Sequence, residues 1–89
     1  MKEVEKYIEK AEKLKAIAHP HRLYILKGLI ENSCNVKKMQ ECLGLPQSTV
    51  SQHLARLRAA GIIAGKRKGL EICYSVVDQE IIDIIKALD

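Results

Sequence analysis

The feature that most constrains the fold is the stretch "LGLPQSTVSQHLARLRAAG" at residues 43–61. Apolar residues at helical spacing in residues 36–43 predict a short helix, and Gly44 ends it because glycine readily adopts the left-handed backbone found after a helix. Pro46 then lies in a tight turn, and residues 46–60 predict a second, longer helix. Two helices joined this closely form a helix-turn-helix.

The residues on either side extend this arrangement. The spacing of apolar residues predicts a first helix that ends near His19 and a second helix over Pro20–Glu31. Further along, the pattern alternates, which predicts a β-hairpin over about Ile63–Val76, and helical spacing returns from about Gln79. We therefore expect a mainly α fold with a β-hairpin, a winged helix-turn-helix, formed by residues 1–89 as one domain.

Charge is distributed unevenly along the chain, whose formal net charge is +4. Residues 33–69 hold the single acid Glu41 against seven basic residues, which are Lys37, Lys38, Arg56, Arg58, Lys66, Arg67 and Lys68. Residues 70–89 hold five acids and one base. Basic charge concentrated in the helix-turn-helix and the hairpin indicates a polyanionic partner. A solvated basic surface without a partner would have the same composition.

The helix over residues 46–60 carries short polar side chains on the face opposite its apolar residues. On a helical wheel Val50, Leu54 and Leu57 face the core, and Ser48 and Gln52 lie opposite them. Glutamine and hydroxyl groups suit the reading of base edges in the major groove of double-stranded DNA, and a basic hairpin tip suits the phosphate backbone or the minor groove. The predicted DNA-binding residues are Gln47, Ser48, Thr49, Ser51, Gln52, His53, Arg56, Lys66, Arg67 and Lys68.

Two stretches, "LKAIAHPHRLYILKGL" at residues 14–29 and "LGLPQSTVSQHLARLRAAGII" at residues 43–63, resemble the ArsR/SmtB family of bacterial winged-helix repressors. The segment "KRKGLEICYSV" is similar to the wing of that family. The resemblance covers almost the whole chain. It implies a homodimer that binds an inverted-repeat operator in double-stranded DNA and dissociates when an inducer is sensed. It also implies that the first and last helices form the dimer interface.

The last helix supports a dimer independently of that resemblance. Its isoleucines cover more than one core-facing stripe, and a terminal helix of so small a domain cannot bury two faces internally. A second copy would bury the surplus, and two-fold symmetry would place two reading helices about one DNA turn apart. The predicted interface residues are Val4, Ile8, Ile81, Ile82, Ile84, Ile85 and Leu88.

Metal sensing, a known role of the family that the chain resembles, lacks its usual ligands here. Where metal-sensing members carry a Cys-x-Cys box, the aligned residues are Asn35 and Lys37, and the last helix holds no histidine. The carboxylates of that helix alone would bind a transition metal weakly. His19, His21 and His53 are interpreted individually as structural or DNA-contacting residues. We therefore expect no metal site and no cofactor.

The three cysteines, Cys34, Cys42 and Cys73, are too few and too irregularly spaced for a disulfide framework. One hypothesis is a redox switch, because Cys34 precedes a helix whose dipole would favour a thiolate. Cys42 lies about 12 Å away at the far end of that helix, so a bridge between them requires unwinding. Cys73, on the other side of the hairpin from its apolar stripe, is an alternative partner or reacts alone. The other hypothesis is three unreactive thiols.

Enzyme function has no support, because the sequence contains neither a Gly-rich phosphate loop nor a nucleophile with a placed base. No apolar run approaches the length of a membrane span, so we expect a cytoplasmic protein. The alternative to a repressor is a winged-helix module that binds a protein partner or RNA. A steep salt dependence of binding to two-fold-symmetric DNA distinguishes the repressor.

Overall fold

The structure is a computed structural model that describes residues 2–32 and 36–89. The helices of these residues are α1 (Lys2–Ile17), α2 (Pro20–Glu31), α3 (Val36–Leu43), α4 (Gln47–Ala59) and α5 (Gln79–Ala87). The antiparallel strands β1 (Ile63–Lys68) and β2 (Glu71–Val76) form the hairpin between α4 and α5. This order confirms the predicted winged helix-turn-helix. Across the described ranges, every helix is too short or too polar to span a bilayer.

The helix ends lie at the residues that break helices. α2 begins at Pro20, and His19 caps it, because the His19 Nδ1 atom accepts a hydrogen bond from the backbone N–H of His21 at 3.1 Å. Gly44 and Gly61 follow α3 and α4 with φ angles of 65° and 75°, in the left-handed region that glycine adopts without strain. These residues keep the connections on both sides of α4 short.

The hydrophobic core is centred on α2. Its residues Ile25, Leu26 and Leu29 are buried, and α2 packs against α3, α4, α5 and β2. No described polar or charged residue is fully buried, so burial of aliphatic side chains holds these elements together. The other buried residues are Ala16, Ile17, Met39, Val50, Leu54, Leu57, Ile62, Ile63, Ile81 and Ile85.

α2 and α3 approach each other closely at Gly28. A Cβ atom at this position would overlap the Sδ atom of Met39, whose side chain is buried in the core. The absence of a side chain at residue 28 therefore leaves room for the Met39 side chain of α3, the first helix of the helix-turn-helix, against the backbone of α2.

Ion pairs join α1 to the beginning of α5. Asp78 caps α5 by accepting a hydrogen bond from the backbone N–H of Ile81 at 3.2 Å, and it also lies 2.7 Å from the Nζ atom of Lys13. Glu80 pairs with Lys10 at 3.0 Å and with Lys13 at 3.1 Å. The Lys13 and Asp78 side chains are only 23% and 15% exposed, so this pair is partly shielded from water.

The apolar stripe of α1 faces away from the core. Val4 and Ile8 are 55% and 58% exposed, and within α1 only Ala16 and Ile17 are buried. Leu88, just after α5, is 67% exposed. The described chain therefore presents an apolar surface on its terminal helices that it does not cover itself.

Two residues predicted for the dimer interface lie elsewhere. Ile81 and Ile85 are buried in the core of the chain itself, because they occupy the face of α5 that packs towards α2. Ile82 and Ile84 are half-buried. The number of isoleucines in α5 therefore overstated the apolar surface that this helix leaves exposed.

Candidate nucleic-acid interface

α4 has a buried side and an outward side. Val50, Leu54 and Leu57 are buried against the core, as the helical wheel predicts. Thr49 and His53 are half-buried at the edge of the helix. The outward side carries amide, hydroxyl and guanidinium groups, and the predicted DNA-binding residues that are exposed there are Gln47, Ser48, Ser51, Gln52 and Arg56.

The N-terminal end of α4 has no side-chain cap. Pro46 precedes the helix, and its carbonyl accepts hydrogen bonds from the backbone N–H groups of Thr49 and Val50 at 3.1 and 3.2 Å. The helix dipole gives this end a partial positive charge. The beginning of α4 therefore favours an anion such as a DNA phosphate.

The hairpin distributes its basic residues over two faces. Lys66 pairs across the strands with Cys73, and Arg67 pairs with Ile72. Because directly paired residues share a face of the sheet, Arg67 lies on the Ile72 side and Lys66 on the opposite, outer side. Lys68, two residues beyond Lys66, shares the outer side. The predicted basic triplet is therefore two outer lysines and an arginine on the other face.

An open groove separates the hairpin from the front of α4. Its volume is about 630 Å³, and its walls come from α3, the first turns of α4 and β2. Gln47 and Ser51 line the α4 wall, whereas Ile72 and Tyr74 line the hairpin wall. Two of the predicted DNA-binding residues therefore face the groove, while Ser48 and Gln52 point away from the core.

Three histidines lie together on the flank of α4. His19 and His21 stand at the start of α2 and His53 lies within α4, with ring centroids 5.1, 4.7 and 5.6 Å apart. The Nη1 atom of Arg22 lies 3.3 Å from the Nδ1 atom of His53, and its Nε atom donates to the carbonyl of Ala16. Sequence reasoning treated the histidines separately and missed Arg22, because no local spacing reveals a contact between two helices.

The surroundings of this cluster keep two of its rings uncharged. Burial, followed by the charges of Arg22 and His21, lowers the pKa of His19. Burial also lowers the pKa of His53, with further contributions from His19, Arg22 and His21. At neutral pH His53 therefore contributes hydrogen-bonding groups to this surface rather than charge.

Known proteins share this sequence and fold. Residues 19–64 match the family model described as bacterial regulatory protein, arsR family. The transcriptional repressor PagR of Bacillus anthracis is 45% identical to the chain over 80 residues, which are 89% of this chain and 80% of PagR. The chain belongs to the arsR family. This finding confirms the resemblance noted in the sequence.

Solved structures of related regulators have the same fold as this chain. The crystal structure of PagR superimposes with a TM-score of 0.84 at 41% identity, covering 97% of this chain and 99% of PagR. Reduced HlyU from Vibrio cholerae gives a TM-score of 0.89 at 34% identity, covering 99% of this chain and 94% of HlyU. The chain is a DNA-binding transcriptional regulator of the arsR family and not an enzyme.

The carboxylates at the beginning of α5 and within it form ion pairs or hydrogen bonds with other residues of the chain. Asp78 and Glu80 pair with lysines of α1, as described above, and Asp83 accepts a hydrogen bond from the Nε2 atom of Gln79 at 2.9 Å. Among the described residues, the side chains close enough together to hold a metal ion are those of His19, His21 and His53. None of these residues belongs to α5.

Two of the three cysteines are in different oxidation states in the structure. Cys73 is disulfide-bonded, whereas Cys42, near the end of α3, carries a free and exposed thiol. A bridge that uses Cys42 and unwinds α3 is not formed in this structure, where α3 is intact and Cys42 is free, and it stays a prediction for the oxidised protein. Cys34 lies outside the described residues.

Proposed function

We propose that the chain acts in the cytoplasm as a single winged-helix domain that represses transcription by binding double-stranded DNA. The observation that carries the proposal is the outward side of α4, where Ser48 and Gln52 are exposed directly opposite the buried Val50 and Leu57. Side chains of this type reach base edges when a helix lies in the major groove. PagR, a relative of this chain, is named as a transcriptional repressor, which supports repression rather than activation.

The roles we propose for individual residues follow from their positions. Ser48 and Gln52 read bases, because they point furthest from the core. The other predicted residues of α4 position the helix on the DNA backbone through hydroxyl, amide, imidazole and guanidinium groups, and these are Gln47, Thr49, Ser51, His53 and Arg56. Lys66 and Lys68 on the outer side of the hairpin contact phosphates or the minor groove, and Arg67 does so from the opposite face.

We further propose that two copies bind an inverted repeat. The exposed apolar side chains of Val4, Ile8 and Leu88 support a homodimer, since a monomer would leave this surface in water. Ile82 and Ile84 of α5 are half-buried, so we assign them to the edge of the proposed dimer interface. A two-fold dimer places one α4 on each half-site, about one helical turn of DNA apart.

The test is selection of binding sites from a random duplex library, followed by affinity measurements over a range of salt concentrations. We expect enriched sites with two-fold symmetry. If the dimer contacts about six phosphates, affinity should fall by about a thousandfold between 50 and 200 mM salt. The absence of an enriched symmetric site would count against the proposal. Preferential capture of RNA, or binding that is insensitive to salt, would favour the alternative of an RNA- or protein-binding module.

A second proposal concerns the cysteine on the hairpin. The disulfide of Cys73 lies on the outer side of the hairpin, where Lys66 is its cross-strand neighbour. We infer that making or breaking this bond changes the position of the outer lysines and so the affinity for DNA. The bond proposed as the switch does not include Cys42, whose thiol is free and exposed.

A further inference from the structure

We propose that His19, His21 and His53 form a binding site for Zn²⁺ or a similar transition-metal ion. Each side chain offers a ring nitrogen, and these three ligand atoms lie within 4.8 Å of one another. Neutral imidazole is a preferred ligand of such ions. The site goes beyond the proposed function, which uses only His53 and uses it as a DNA contact.

The spacing of the rings fits a tetrahedral ion. With Zn–N bonds of about 2.0–2.1 Å and each ring centre about 1 Å further out, tetrahedral angles place imidazole centroids about 5 Å apart. The observed separations are 5.1, 4.7 and 5.6 Å. Ligand nitrogens around such an ion lie about 3.4 Å apart. The three nitrogens therefore need to close by little more than an ångström, which side-chain rotation provides.

The fold holds these rings at the join of two helices. His19 is the cap of α2 and His21 lies in its first turn, whereas His53 projects from the flank of α4. All three residues are half-buried, so the cluster is shielded by protein on one side and open to solvent on the other. An ion held by three histidines in this setting keeps a fourth position for water, as in other three-histidine zinc sites.

Two hydrogen bonds compete with the metal. The Nδ1 atom of His19 accepts from the backbone N–H of His21 at 3.1 Å, and that of His53 faces Arg22 at 3.3 Å. Guanidinium and backbone N–H groups only donate, so both neutral rings carry their proton on Nε2. A bound ion requires these donors to move: an ion on Nδ1 takes their place directly, and an ion on Nε2 transfers the ring proton to Nδ1, which then no longer accepts. The charge of Arg22 also opposes a cation, so we expect affinity in the micromolar range rather than that of a closed structural site.

The test is a titration of the untagged, metal-free full chain with Zn²⁺ by calorimetry and with Co²⁺ by visible absorption, which reports tetrahedral coordination. We expect one ion per chain. His21→Gln and His53→Gln should each lower the affinity at least about tenfold. His19→Asn should do the same while keeping a side-chain cap on α2. Cys42→Ser is the matched control and should bind as the wild type does, because its thiol is outside the cluster.

Circular dichroism before metal addition distinguishes loss of a ligand from loss of the fold. Should His53→Gln fail to fold, His21→Gln decides the result, since His21 lies in the first turn of α2. In the wild type, the ring-nitrogen NMR signals of all three histidines should shift together on addition of Zn²⁺. No uptake at millimolar Zn²⁺, uptake that survives all three histidine substitutions, or uptake lost in Cys42→Ser would overturn the proposal.

Discussion

The Nη1 atom of Arg22 lies 3.3 Å from the Nδ1 atom of His53, while the Nε atom of the same guanidinium donates to the carbonyl of Ala16. One side chain of α2 thus contacts the end of α1 and the flank of α4. Because a guanidinium only donates hydrogen bonds, His53 is the acceptor. The placement of α4 relative to α1 depends in part on this contact.

Replacing Arg22 tests this contact. Arg22→Met keeps much of the aliphatic stem but removes both donors, so we expect the free energy of unfolding to fall by about 1–3 kcal/mol, as measured by urea denaturation. Arg58→Met at an exposed position of α4 is the control and should change it by less than about 0.5 kcal/mol. Equal effects of the two substitutions would show that Arg22 does not hold the helices together.

Base reading by α4 predicts a selective effect of Gln52. Gln52→Ala should weaken binding to the selected site by about 1–3 kcal/mol and leave binding to random DNA nearly unchanged, because an amide that reads a base is used only on the correct sequence. Fluorescence anisotropy on both duplexes measures the difference. Equal losses on the two duplexes would mean that Gln52 does not read a base.

Backbone contacts by the hairpin predict the opposite behaviour. Replacing Lys66 and Lys68 together by alanine should weaken binding to all sequences alike. It should reduce the salt slope by about 4, since the proposed dimer loses four lysines, each of which would neutralise one phosphate. Affinity for the selected and random duplexes over a salt series measures this. An unchanged slope would remove the outer lysines from the interface.

The exposed stripe of α1 predicts how the proposed dimer can be broken without unfolding the chain. Ile8→Glu should give a monomer of normal helix content, because the side chain is 58% exposed in the single chain. Ile85→Glu should instead unfold the protein, since it places an unpaired charge in the core. Analytical ultracentrifugation and circular dichroism together measure both outcomes. A dimer that survives Ile8→Glu would place the interface elsewhere.

The ion pairs between α1 and α5 predict a loss of stability in acid. Burial raises the pKa of Asp78, but hydrogen bonds from Lys13 and from the backbone of Ile81 outweigh it, and the pKa is lowered overall. Lys10 and Lys13 lower the pKa of Glu80. A carboxyl with a lowered folded pKa stabilises the fold above its unfolded pKa, about 4, and this contribution is lost as pH falls through the folded value.

Two substitutions of Asp78 separate its cap from its charge. Asp78→Asn retains a capping side chain but should flatten the decline of stability below about pH 4. Asp78→Ala should lose in addition about 1 kcal/mol at pH 7 through the missing cap. Thermal unfolding over a pH series measures both. An acid dependence in Asp78→Asn identical to that of the wild type would show that this carboxylate does not contribute through its charge.

The disulfide of Cys73 predicts that reductant changes DNA affinity. We expect wild type and Cys42→Ser to respond equally to a phosphine reductant, because Cys42 is free, and Cys73→Ser to show no response. Anisotropy on the selected duplex, with thiol counting by mass spectrometry, measures this. Unchanged affinity after complete reduction would leave the bond without a role in DNA binding.

Local sequence signals predicted much of this fold. Pro20, Gly44 and Gly61 break the backbone locally, so the bounds of α2 and the turns around α4 follow from them. The meeting of His19 with His53 could not be predicted, because it depends on how α2 packs on α4. The same limit applies to the orientation of α1 and α5, since apolar spacing identifies an amphipathic face without showing whether the chain itself or another molecule covers it.

The contact between Gly28 and Met39 restricts how the sequence of this chain can evolve. Any replacement of Gly28 adds a Cβ atom that overlaps the sulfur of Met39, whereas shortening Met39 alone leaves a cavity in the core. We expect the two changes to be non-additive, because a side chain at residue 28 occupies space that a shorter residue 39 leaves free. The identity of the residue at position 28 and the size of the residue at position 39 are therefore expected to change together between related sequences.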